Sequence, residues 1–237
     1  MMSSKILPAD VLSNVLGLPI VSNCTAEGSP FERAAKLMER RRKHATRTRV
    51  IAYRYDGDGR GREMCDKVQA GLTGGDLPFH DICAKLDADV QLIELGAGTP
   101  TPEDNARAAA FGMMVAEEDT GLIAVTAFGA EPSARKSTPD FFESTMPDTA
   151  ALFGAMVSGA RAGIPVIAEG LKAMEAAMAL YALRPDLCAY VFICGVPTSM
   201  NDPRFAIFAD DQADHPLYAA AALATLFIEQ SKKPAAS

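Results

Sequence analysis

The chain has no C-x-x-C pair, and its five cysteines, at 24, 65, 83, 188 and 194, are odd in number. A disulfide framework and a structural zinc site are therefore not expected, and buried thiols in a reducing cytoplasm are. Positive charge is in deficit: 23 Lys and Arg face 30 Asp and Glu, a net charge of −7 and a pI near 5.0. Such a balance disfavours nucleic acid as a partner. The opening MMSSKILPAD lacks an apolar stretch and a cleavage site, so no secretory leader is expected. The longest apolar run, Pro216 to Ile228, falls short of the ~20 residues a spanning helix needs, so no membrane role is expected either. No internal repeat is visible. What is present is an ordinary globular balance over 237 residues, 49% hydrophobic and 22% charged, enough for one large domain with a sizeable core.

Short apolar runs alternate with stretches of helix length. The runs at Arg49–Tyr53, Val90–Leu95, Leu122–Ala127, Ile164–Ala168, Ala189–Cys194 and Phe205–Ala209 predict strands. Several are apolar on both faces, as parallel strands covered by helices are. The expected fold is a three-layer α/β/α domain with a mainly parallel, Rossmann-like sheet of about six strands. Residues 1–47 read as an N-terminal arm and helix, 48–230 as the α/β domain and 231–237 as a frayed tail. The helix at Pro30–His44 is expected outside the sheet core, and its basic end, Arg40 to Lys43, reads as a solvated C-terminus or a phosphate patch. Thr101, Pro102 and Asp104 read as a capped helix start. Leu171, Met174, Met178 and Tyr181 read as a core stripe. Gly154 and Ser158, four apart, allow a neighbouring backbone to come close.

In an open parallel sheet, ligands bind beyond the carboxyl ends of the strands. The loop after the first strand carries Asp56, Gly57, Asp58, Gly59 and Gly61, a G-x-G-x-G spacing that is not the dinucleotide fingerprint. The loop after the second runs from Glu94 through Gly96, Gly98 and Thr99 to the capped helix, a candidate anion cradle. The loop after the third holds Gly129, Ser133, Arg135 and Lys136. It lacks the second glycine of a P-loop, and Pro132 removes a donor, so ATP hydrolysis is not expected while a phosphate site is. Glu169 and Ser199 follow the fourth and fifth strands. Asp214 and His215 precede the last helix, as a proton-handling pair or as its cap.

These residues also resemble a family. The stretch from Ala151 to Ala160, ALFGAMVSGA, and Gly163 to Gly170, GIPVIAEG, is similar to the AALAGAMLGAA and IPVVLDGF of the nicotinate-nucleotide–dimethylbenzimidazole phosphoribosyltransferases, the CobT-like enzymes. Leu72 to Asp76, Ala88 to Gly96 and the strand Arg49–Tyr53 extend the likeness, which reaches to about Ile228. The resemblance implies transfer of 5-phosphoribose from nicotinate mononucleotide to a benzimidazole-type base in cobamide lower-ligand synthesis, by a homodimer needing no metal or other cofactor. The loops beyond the strand ends supply the candidates for its site: nucleotide or phosphate contacts at Gly96, Gly98, Thr99, Gly129, Ser133, Lys136 and Ser199, and base contacts at Tyr53, Asp56 and Gly57. A carboxylate takes the base's proton, and Asp214, Glu169 and Glu94 are the candidates.

The departures are specific. The family's GEMGIGNTT loop is met by Thr126 to Ala134, where Gly129 alone is clearly kept. Its catalytic glutamate has no glutamate in register, and Asp214 is the nearest acid. The segment between that loop and the ALFGAM motif is shortened to Arg135–Thr149. Three readings follow: a diverged transferase, a nucleotide- and base-binding or regulatory protein without turnover, and a different nucleotide reaction on the same scaffold.

Overall fold

The computed structural model describes residues 6–19, 29–41, 47–57, 83–84, 86–128, 141–200, 202–209 and 218–232, with isolated positions 63, 66 and 70. The strands are β1 (Arg47–Asp56), β2 (Ala88–Ala97), β3 (Thr120–Phe128), β4 (Val166–Glu169), β5 (Val191–Val196) and β6 (Ala206–Ala209). Each overlaps one of the six apolar runs. They form one sheet in the order β2-β1-β3-β4-β5-β6, every pair parallel. The strand order reverses at β1, so the crevice expected of such a sheet opens at the carboxyl ends of β1 and β3.

The helices are α1 (Pro8–Leu16), α2 (Pro30–Arg41), α3 (Pro102–Gly112), α4 (Pro147–Ala162), α5 (Leu171–Leu183) and α6 (Tyr218–Lys232), with a single turn at Phe141–Ser144. α4 lies between α3 and α5 and against the sheet, while α6, joined by α2, packs on β3, β4 and β5. Phe227 of α6 meets Phe192 and Phe208 edge-on, with ring centroids 5.0 and 5.8 Å apart. The start of α3 follows its sequence signal. Thr101 Oγ1 accepts from the Asp104 amide, and Asp104 Oδ2 accepts from the Thr101 amide, a reciprocal capping box.

One expectation changes. The helix at Pro30 is not outside the core: Ala34 and Leu37 are buried, Arg33 Nη2 donates to the Ala189 carbonyl at 3.0 Å, and the guanidinium lies over the Phe192 ring. Val11 and Val15 of α1 join the same core, and Arg184 holds the end of α1 by donating to the carbonyls of Val15, Leu18 and Pro19. The α5 stripe is in place: Met174 is buried and Leu171, Met178 and Tyr181 pack against the core, half-buried, while the other covered positions are alanines, Leu180 and Lys172. Small residues let α5 lie close to α4, and the larger side chains fill the margins.

α4 is buried from Pro147 to Ala160. The close approach read from Gly154 and Ser158 is made by α3: the Gly154 backbone lies against Ala109, and Ser158 Oγ accepts from the Ala116 amide at 3.1 Å. Its small-residue face is thus used within one chain and is not available to a second.

Candidate functional site

The carboxyl ends of β1 and β2 are tied together. Tyr55 Oη donates to the Gly98 carbonyl at 3.0 Å, and the Gly98 amide donates to the Asp56 carbonyl at 3.1 Å. Met146, just before α4, leans over the same place: its methyl carbon lies 3.0 Å from where a Cβ on Gly57 would stand. A side chain at Gly57 would meet Met146, which is a local reason for glycine there. Asp56, Gly57, Gly96, Gly98 and Thr99 are thereby brought to one edge of the crevice.

The other candidates separate from this group. Tyr53 is wholly buried, and its hydroxyl has no hydrogen-bond partner among the described residues. Burial pushes that hydroxyl far above its ordinary range. It is a core residue and presents no face to a base, because β1 is covered along its middle. Ser199 is exposed in the short turn Thr198–Met200 beyond β5. Gly129, Ser133, Lys136 and Asp214 lie outside the described residues, as do Arg135 and His215.

The anion cradle at α3 is altered by its own cap. Thr101 and Asp104 satisfy each other's amides, and Asp104 brings a carboxylate to the positive end of the helix. The hydrogen bonds from Thr101 hold the Asp104 carboxyl below its usual range, so the charge is present at neutral pH.

Glu94 and Glu169 both have structural work. Glu94 Oε1 accepts from Arg54 Nη1 at 2.9 Å. Glu169, at the end of β4, is buried, and its Oε2 accepts from the Ala220 amide at 3.0 Å. It therefore caps the first turn of α6 across the sheet, a role that chain distance conceals. Gly195 makes room for it: φ there is +61°, and an added Cβ would lie 2.9 Å from Glu169 Cγ. Glu169→Ala is expected to cost about 1–3 kcal/mol by leaving the Ala220 amide unpaired in a buried place, and Glu169→Gln much less, since its amide oxygen still accepts. Urea midpoints of the two variants test this; equal losses would remove the capping role.

A second polar group lies at the start of α4 and α5. Lys172 Nζ pairs with Asp148 Oδ2, the lysine side chain 8% exposed and the aspartate fully buried. Thr145 Oγ1 lies 3.3 Å from Glu175 Oε1. Asn105 Nδ2 donates to the carbonyls of Phe142 and Thr145, both at 2.9 Å, and pins the segment before α4 to α3. Burial pushes the Asp148 carboxyl above its ordinary range against the pull of Lys172. Burial also raises Glu175, against Thr145 and Lys172. Burial, then the charges of Asp104 and Asp148, raise the Tyr55 hydroxyl. Asn105, Asp148, Lys172 and Glu175 belong to no sequence motif. Their only signal along the chain is a lysine and an aspartate inside first turns that are otherwise largely apolar.

Cys83, Cys188 and Cys194 are buried free thiols, and burial pushes Cys83 up to about 11 and Cys188 up to about 12, far from thiolate. Among the described residues no group of three or more His, Cys, Asp or Glu side chains is placed to hold a metal ion, and no helix is long and apolar enough to cross a membrane. A cavity of about 390 Å³ lies at the opposite, amino-terminal edge of the sheet, between Arg47, Asp87, Ala88, Asp89 and Asp119. Arg47 is already paired there, with Asp89 at 3.2 Å and with Asp119 at 3.6 Å.

The fold as a whole has counterparts among solved structures. The fold is shared with a phosphoribosyltransferase. The structure of nicotinate-nucleotide–dimethylbenzimidazole phosphoribosyltransferase from Thermus thermophilus is similar at a TM-score of 0.55 and 15% identity, covering 79% of this chain and 81% of that one. A structure of CobT from the same organism is similar at a TM-score of 0.54 and 14% identity, over 77% and 80%. Neither a protein-family profile nor a curated protein matches the sequence.

Proposed function

We propose that this chain binds a mononucleotide and a heteroaromatic base in the crevice at the ends of β1, β2 and β3, and transfers 5-phosphoribose between bases as a CobT-like phosphoribosyltransferase. The observation that carries the reading is the fold shared over 79% of the chain with an enzyme of that name. The tied ends of β1 and β2 support it, since they form one edge of the expected crevice. In the reaction, the C1′–N bond to nicotinate breaks and its electron pair leaves with the nicotinate nitrogen. A C1′–N bond to the benzimidazole forms, and the proton on the benzimidazole's N–H nitrogen passes to a carboxylate. Glu169 is buried against the start of α6, and Glu94 faces Arg54; Asp214 is the first candidate for that carboxylate and the half-buried Glu175 the second. The homodimer belongs to this reading through the resemblance alone, because α3 covers the small-residue face of α4.

The test is incubation with nicotinate mononucleotide and 5,6-dimethylbenzimidazole, with chromatography for free nicotinate and the new ribosyl phosphate. Both products are expected, and Asp214→Asn is expected to slow their formation by about 10²–10⁴-fold with little change in nucleotide affinity. A second reading has its own support, since two of the three proposed acids hold structural partners. On that reading the chain binds nucleotide and base without turnover, and titration of either ligand with no product formed would establish it in place of the first.

A further inference from the structure

Resting on the nucleotide-and-base reading, we propose that Arg54 selects a ligand bearing a carboxylate, and that Glu94 occupies the ligand's place until it arrives. Arg54 lies near the carboxyl end of β1, in register with Glu94 on β2 and with Phe128 on β3, where the strand order reverses. Its side chain is 7% exposed. A guanidinium so buried needs an anion beside it. Its short contact is Glu94 Oε1, at 2.9 Å; Asp56 Oδ2 stands farther off, at 3.5 Å.

The two carboxylates differ in freedom. The Asp56 side chain is 14% exposed and belongs to the tied strand ends, whereas the Glu94 side chain is 66% exposed. Glu94 can therefore swing into water and be solvated there at little cost. A ligand carboxylate taking its place leaves the charge around Arg54 unchanged, and its planar pair of oxygens matches the guanidinium fork. A phosphate dianion would add a further negative charge beside Asp56. A carboxamide has no charge with which to displace Glu94. The site thus distinguishes an aromatic acid from its amide, and Glu94 sets the threshold.

The experiment is calorimetric titration of the full chain with nicotinate mononucleotide and with nicotinamide mononucleotide, which differ only at that group. The parent is expected to bind the acid about 10–100-fold more tightly than the amide. Arg54→Gln is expected to abolish the difference by weakening the acid, with the amide unchanged. Glu94→Gln is expected to tighten the acid severalfold by removing its competitor. A folded Arg54→Gln variant that keeps the preference overturns the proposal, as does a Glu94→Gln variant that binds the acid more weakly. Should Arg54→Gln fail to fold, the exposed Glu94 variant decides alone. Equal binding of both mononucleotides by the parent overturns this inference and leaves the nucleotide reading standing; binding of neither overturns both.

Discussion

Gly154→Ala is expected to destabilise the protein by about 3 kcal/mol or more, enough to leave much of a marginally stable chain unfolded. An added Cβ would lie 2.0 Å from the Ala109 carbonyl oxygen and 2.9 Å from the Met113 amide nitrogen. Both are backbone atoms of α3 and its end, so no side chain can turn aside. Relief requires α3 and α4 to separate, and α4 is buried along nearly all its length. Gly112→Ala meets the same obstacle from the other helix, 2.1 Å from the Ala151 carbonyl oxygen. Urea denaturation checks both. A midpoint unchanged from the parent in either variant would show that the helices do not touch backbone to backbone. The two losses should not add, because one separation relieves both contacts.

Lys172→Met is expected to cost about 3–5 kcal/mol at pH 7, because it leaves the fully buried Asp148 without its counter-charge. The direction with pH follows from Asp148. Burial raises its carboxyl in the folded protein, so the folded state holds the proton more tightly than the unfolded chain. The stability associated with that proton is present at low pH and is lost as pH rises from the unfolded carboxyl's value through the folded one. Without Lys172 the folded value rises further. The deficit of the variant should therefore be largest near neutrality and shrink in acid. The double variant Asp148→Asn with Lys172→Met should recover most of the loss, since no unpaired charge then remains. Urea midpoints at pH 7 and pH 5 test the series. A Lys172→Met deficit that is absent at pH 7, or constant with pH, would mean the pair is not the buried unit described.

Much of the architecture is legible along the chain because its causes are local. Six apolar runs flanked by helix-length segments specify parallel strands, since a strand covered on both faces has no polar side to show. Thr101, Pro102 and Asp104 announce the start of α3 because a capping box closes within one turn. Gly154 and Ser158 announce a close approach because their missing or small side chains are a property of the residues themselves. Which helix comes close is another matter: it is α3, and nothing in the small residues themselves names it. The loops after β1 and β2 are likewise named as neighbours by the general rule for parallel sheets.

The chemistry of individual side chains is decided only by the tertiary structure. Glu169, a strand-end acid in the sequence, caps α6 because the sheet places residue 169 beside the amide of residue 220. Tyr53 falls in the core and Tyr55 at the loop, two residues apart on one strand. Asp104 follows a helix start that looks open to an anion and closes it. Asp148, Lys172 and Glu175 stand in first turns whose neighbours are largely apolar, and only the packing of α4 against α5 makes them one group. A residue's helix or strand propensity is a property of its near neighbours in the chain. Its partner across the fold is set by which elements the sheet order brings together, and that order depends on burying the apolar faces of the whole molecule at once.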